Sequence, residues 1–170
     1  MAIGDTFYNL CRRENIGRMV ENPENGKLYF EISIEDFQKL NELNILFDGT
    51  KGGLVIGKLH IDGGVHFIRP NHKTGHFEYG GEMEGWEYLS SPVLSNDFGE
   101  KLVTLNNSIK GKLTYENTEF KIPKRCKVID TYNLDVAVIV LSNVRHFVVN
   151  RFATRKHIKK IIKLEEKTNR

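Results

Sequence analysis

Residues 54–89 read LVIGKLHIDGGVHFIRPNHKTGHFEYGGEMEGWEYL, and the texture of this stretch decides the fold. Apolar and aromatic residues alternate in short runs at 54–59, 65–69, 76–79 and 82–89, which predicts strands. Asp62-Gly63-Gly64, residues 70–75 and Gly80-Gly81 predict the connections. Segments this closely spaced leave no room for crossover helices. Antiparallel hairpins or a meander are therefore expected, not βαβ units.

Outward from this stretch the periodicity changes. Residues 6–14 predict a short helix behind Asp5, with Phe7, Leu10 and Cys11 on one face. Residues 27–32 alternate as a strand. Ser33-Ile34-Glu35-Asp36 resembles a capping box, and Ile34, Phe37, Leu40 and Leu43 recur at helical spacing, so a helix over 34–44 is expected. Ser91-Pro92 has the form of an N-cap followed by proline at the first helical position, with Leu94, Phe98, Leu102 and Leu105 behind it. Beyond residue 113 the pattern turns to strands again. Segments 127–132 and 136–141 predict a hairpin, and the second, apolar on both faces, predicts a central strand. Residues 145–149 predict a last strand, and Asn150 a cap for a final helix reaching to about 167. The expected class is α+β, with three to four helices. Two successive strand–cap–helix units are a further expectation. Three regions follow, 1–53, 54–110 and 111–170, which could share one domain.

Composition bounds the function classes. Hydrophobic residues make up 39% and charged residues 28% of 170, so a buried core is expected and disorder is not. The longest apolar run, residues 136–141, is far short of a membrane span, so no membrane partner is expected. No secretory signal is read at the N-terminus. Two cysteines, Cys11 and Cys126, make no disulfide framework, and reduced thiols are expected.

The net charge of +3 says little by itself, but its distribution says more. Arg151, Arg155, Lys156, Lys159, Lys160 and Lys163 fall within thirteen residues with no acid among them. At about 100° per residue, Ile158, Ile161 and Ile162 lie opposite most of these cations. Like charges on one helix face repel, and a phosphate backbone or an acidic protein groove would offset that cost. These six residues are the candidate contact set for DNA, RNA or a protein partner. Arg12-Arg13 and Lys124-Arg125-Lys127 would extend it if the fold brings them close.

Catalytic constellations are less persuasive. His60, His66, His72 and His76 cluster in sequence, and His60, His66 and His76 are the residues that would build a metal centre. Neither zinc-protease nor finger spacing is present, so no metal or other cofactor is expected. Glu78, Glu82, Glu84 and Glu87 read as a solvated hairpin face. Trp86 and Tyr88 read as core or interface anchors. Cys126 lies between Arg125 and Lys127, which would lower its pKa. No catalytic residue is assigned.

The stretch 54–106 carries Gly57-Lys58-Leu59-His60-Ile61-Asp62-Gly63-Gly64-Val65, then Glu82-Met83-Glu84-Gly85-Trp86-Glu87-Tyr88, then Leu105-Asn106. It resembles a short glycine-rich module of bacteriophage tail tape-measure, virion and mobile-element proteins. It departs from that pattern at Leu59, where serine is usual, at Trp86, where glycine is usual, and at Ser90-Ser91. The resemblance implies a non-enzymatic component of a phage capsid or tail. Its partners would be other virion proteins or further copies of itself, in the virion or the host cytoplasm. A small regulatory or nucleic-acid-binding protein is the alternative.

Overall fold

A computed structural model describes residues 4–109, 122–131 and 134–168. The fold is α+β, with helices packed against two mixed sheets. In chain order the helices are α1 (Asp5–Glu14), α2 (Ile34–Glu42), α3 (Pro92–Ser108) and α4 (Arg155–Thr168). The strands are β1 (Arg18–Glu21), β2 (Leu28–Ile32), β3 (Leu46–Asp48), β4 (Gly53–Ile56), β5 (Val65–Asn71), β6 (His76–Met83), β7 (Tyr88–Leu89), β8 (Val128–Asp130), β9 (Val138–Val140) and β10 (Val148–Val149).

The larger sheet runs β1-β2-β6-β5-β9-β3 and the smaller β10-β7-β4-β8. The hairpins β1–β2 and β5–β6 are antiparallel, as their short connections require. Three other pairings are parallel and add to the expected antiparallel hairpins. Strand β9 is parallel to both β5 and β3, and β4 is parallel to β8. These pairs join segments far apart in sequence, which spacing along 54–89 does not reveal.

The expected hairpin of 127–132 with 136–141 does not form. Strand β8 joins β4 in the smaller sheet, whereas β9 enters the larger one. An apolar strand such as β9 needs partners on both edges and cover on both faces, and a site between two parallel neighbours supplies them. Gly80-Gly81, expected as a connection, lies inside β6. There it forms a bulge opposite Phe67 and Ile68, and the Phe67 ring covers both glycines. Strands β1 and β3 carry no alternation strong enough to be read from sequence. Residues 113–121, 132 and 133 of the expected second β stretch lie outside the described residues.

Helix ends follow their caps. Ser33 Oγ accepts from Asp36 N–H and Ser91 Oγ from Leu94 N–H. Asn15, in the left-handed region, closes α1. Within α3 the backbone breaks at Phe98, next to Gly99. The final helix begins later than expected. Asn150 instead closes a turn to Phe152 and Ala153, and Thr154 precedes α4.

Apolar side chains collect in three clusters. One binds α1 and α2 to the larger sheet through Phe7, Leu40 and Ile68. A second lies where the two sheets meet, around Val55, Met83 and Ile139. The third is enclosed by α3, α4 and the smaller sheet, around Leu54, Tyr88, Leu102 and Ile161. The two strand–cap–helix units lie side by side there: β7 pairs with β10, and α3 packs on α4. The regions 1–53, 54–110 and 111–170 are not separate bodies, because all three contribute strands to the larger sheet.

Candidate nucleic-acid interface

The site is built on α4. Thr154 and His157 form a capping box with histidine in the place of glutamate. His157 Nδ1 accepts from Thr154 N–H at 3.0 Å, and Thr154 Oγ1 accepts from His157 N–H at 3.4 Å. Ile158, Ile161 and Ile162 then bury one face against α3 and the smaller sheet. Each such isoleucine contributes about 1.5–3 kcal/mol, against roughly 0.2–0.5 kcal/mol lost to each pair of like charges on the opposite face. Burial therefore dominates, and the helix can carry a uniformly cationic outer face.

Glu165 fixes how α4 is turned. Its carboxylate is buried, accepts from Ser91 Oγ at 3.1 Å and lies beside Ser91 N–H at 3.5 Å. It thus meets the N-terminus of α3, where a negative charge is favoured. With Glu165 and the isoleucines inward, Lys156, Lys159, Lys160 and Lys163 are all exposed. They fall within an arc of about 100° and span roughly 10 Å along the axis. Among the described residues no carboxylate pairs with any of these four lysines. The charge order also runs against the helix dipole. The first turn carries Arg155 and Lys156 and no acid, while Glu165 and Glu166 lie near the end beside a single cation, Lys167. Helix stability alone does not explain this arrangement.

The other cations divide. Arg155 Nη1 donates to the Ile122 carbonyl at 3.1 Å, and Arg125 pairs with Glu166 at 3.7 Å. These contacts lay the segment carrying Lys124, Arg125 and Lys127 beside α4, and all three are exposed. Arg151 is a correction to the expected contact set. It precedes the helix, pairs with Glu84 at 3.1 Å and stacks on Phe152, so it ties the turn to the smaller sheet's rim. Arg12 and Arg13 lie on α1, whose buried face belongs to a different core cluster from α4.

The histidines do not converge. His60 Nδ1 lies 2.6 Å from Glu82, and its backbone N–H donates to Glu84. His66 is buried between the Thr6 hydroxyl, 2.8 Å from Nε2, and the Tyr79 hydroxyl, 3.0 Å from Nδ1. Burial pushes its pKa below the ordinary value. His76 lies at the far end of the β5–β6 hairpin, paired with Asn71, whereas His66 pairs with Glu82. Among the described residues no three His, Cys, Asp or Glu side chains gather as metal ligands. His60, Asp62, Glu82, Tyr79 and the start of α1 line an open cleft of about 670 Å³. Of the acidic set, Glu84 and Glu87 are not a solvated face. Glu84 binds Arg151, and Glu87 accepts from Glu84 N–H while burial raises its pKa.

Tyr88 is 2% exposed, packed in the core beneath α4, and Trp86 is half-buried against the same cluster. Tyr88 is thus a core residue, not an interface anchor. Cys11 and Cys126 are free and belong to different clusters. Burial raises the Cys126 thiol above its ordinary value and outweighs the lowering by its hydrogen bond with the Leu54 backbone, so the lowered pKa expected from Arg125 and Lys127 is not found. Sequence reasoning missed Glu165, because a glutamate near the end of a charged helix carries no local sign of burial. Comparison with protein-family models, curated proteins and solved structures finds no match to this chain.

Proposed function

We propose that this protein works by binding, and that its working surface is the outer face of α4, which takes the phosphate backbone of DNA or RNA. The observation that supports this reading is the set Lys156, Lys159, Lys160 and Lys163, exposed on one face without carboxylate partners among the described residues. Phosphates would relieve the repulsion between these lysines and the mismatch with the helix dipole. Lys124 and Lys127 extend the surface alongside. Affinity for a short duplex or single strand should fall steeply with salt, because each neutralised phosphate releases counterions. Replacing the four lysines with glutamine should abolish binding without altering the fold, since all four are exposed. Unchanged binding by that variant would overturn the reading.

The resemblance over residues 54–106 favours a second reading, a structural component of a bacteriophage particle acting through contacts with other virion proteins or with its own copies. The half-buried Trp86 and the rim around Glu84 and Arg151 belong to that stretch or touch it. Mass spectrometry of purified particles tests it. Recovery of the chain only from the soluble fraction of infected cells would count against it.

A further inference from the structure

Ser142 lies two residues beyond Val140, at the C-terminal end of a strand parallel to both its neighbours. The space beyond the carboxyl ends of parallel strands is where α/β sheets place functional groups. Ser142 Oγ is 2.7 Å from His146 Nε2. His146 Nδ1 is 2.9 Å from the Ser90 carbonyl oxygen. A carbonyl can only accept, so Nδ1 carries the proton and Nε2 presents its lone pair. The Ser142 N–H, 3.3 Å from Nε2, donates to the same lone pair and supports that tautomer. The hydroxyl proton of Ser142 therefore points at a neutral imidazole nitrogen. Nucleophile, base and orienting acceptor are thus joined by successive hydrogen bonds.

The orienting group is rigid. Ser90 is fully buried, its N–H donates to the Phe147 carbonyl, and its Oγ accepts from Phe147 N–H at 2.8 Å. Burial, with Arg69 close by, keeps His146 below its ordinary pKa, in the form a base requires. Arg69 Nε is buried and has no hydrogen-bond partner among the described residues. The positive charge of Arg69, felt at His146, favours negative charge developing beside the imidazole. Ser142 itself is half-buried, and the three residues after it are exposed.

We propose that Ser142, His146 and the Ser90 carbonyl form an acyl-transfer site for carboxylic esters, separate from the binding role of α4. Ser142 Oγ attacks the ester carbonyl carbon and its proton passes to His146 Nε2. The tetrahedral oxyanion collapses, the C–O bond to the alcohol breaks, and the alcohol leaves with that proton. Water then adds to the acyl carbon with His146 again taking the proton. The Ser142–acyl bond breaks, Oγ regains the proton, and a carboxylic acid departs.

The test uses the full chain, a fluorophosphonate probe and p-nitrophenyl acetate. Peptide mass spectrometry should find the probe on Ser142. His146→Gln should slow labelling about 100-fold or more, the scale on which a positioned general base acts. Ser142→Ala should lose the label and the ester hydrolysis that exceeds a lysine-only background. In that variant the Ser90 carbonyl and the residue-142 N–H still hold His146, so the fold persists. A wild-type chain left unlabelled, labelling at another residue, or labelling of Ser142 at the same rate in His146→Gln would each overturn the proposal.

Discussion

The Tyr79 hydroxyl and His66 Nδ1 lie 3.0 Å apart in the core, and together they order a chain of hydrogen bonds through both residues. Thr6 Oγ1 donates to the Gly63 carbonyl, so it accepts from His66 Nε2–H. His66 Nδ1 must then accept from Tyr79 O–H, whose oxygen accepts in turn from Gly4 N–H. Every donor in the relay has an acceptor only while His66 is neutral. The relay fastens the start of α1 to the β5–β6 hairpin.

Removing one member should expose its importance. Tyr79→Phe leaves His66 Nδ1 and Gly4 N–H without this partner in a site where Tyr79 is almost fully buried. A loss of about 1–3 kcal/mol is expected, read from urea denaturation. A loss within the error of the extrapolation would mean that the relay contributes nothing to stability.

Stability should also depend on pH in a defined direction. The pKa of His66 lies below 6.5 in the folded protein because burial penalises the imidazolium. Between that folded value and 6.5 the unfolded chain binds more protons than the folded one, so stability rises with pH in this window. It is fully present above 6.5 and is lost as pH falls. His146, lowered chiefly by burial as well, acts in the same sense. Denaturation at a series of pH values from 5 to 8 should show this slope, and His66→Gln should reduce it. An equal slope in the variant would assign the effect to other groups.

Ser91 and Glu165 join the two helices of the smaller-sheet cluster. Glu165→Ala should cost about 1–3 kcal/mol, since it strips a buried hydroxyl of its acceptor at 3.1 Å. Ser91→Ala should cost about 1 kcal/mol for the lost cap and more for the stranded carboxylate. In a double-mutant cycle the two should couple by about 0.5–3 kcal/mol. Strict additivity would show that the contact does not orient α4.

Gly57 and Gly85, both landmarks of the glycine-rich stretch, meet backbone to backbone. A side-chain carbon on Gly85 would overlap the Gly57 carbonyl, and Gly85 N–H donates to Lys58 O at 2.9 Å. Gly85→Ala should therefore destabilise by about 3 kcal/mol or more, because backbone cannot move aside as a side chain can. A melting temperature within a degree or two of the parent would contradict this.

What the sequence disclosed was local. Ser33 and Ser91 announced their helices, because a cap bonds a donor three residues away. The isoleucines and lysines of α4 announced an amphipathic helix through periodicity alone. Residues 136–141 announced a strand buried on both faces, and β9 is central. What stayed hidden was non-local. Nothing near residue 128 says that β8 joins β4, and nothing near Glu165 says that Ser91 waits for it. Gly80-Gly81 read as a turn because the same glycines serve a bulge beneath Phe67. His146 fell within an expected strand and Ser142 outside every expected element, and the group that orients them comes from residue 90.

The interleaving of the larger sheet bears on how the protein is made. Among the described residues strand β3 is joined to it only through β9, about ninety residues later in the chain. During synthesis the N-terminal half must wait on the ribosome with β3 and one edge of β5 open. A nascent chain stalled or cleaved near residue 109 would display that bare edge to other chains, and aggregation of such fragments is the expected fate.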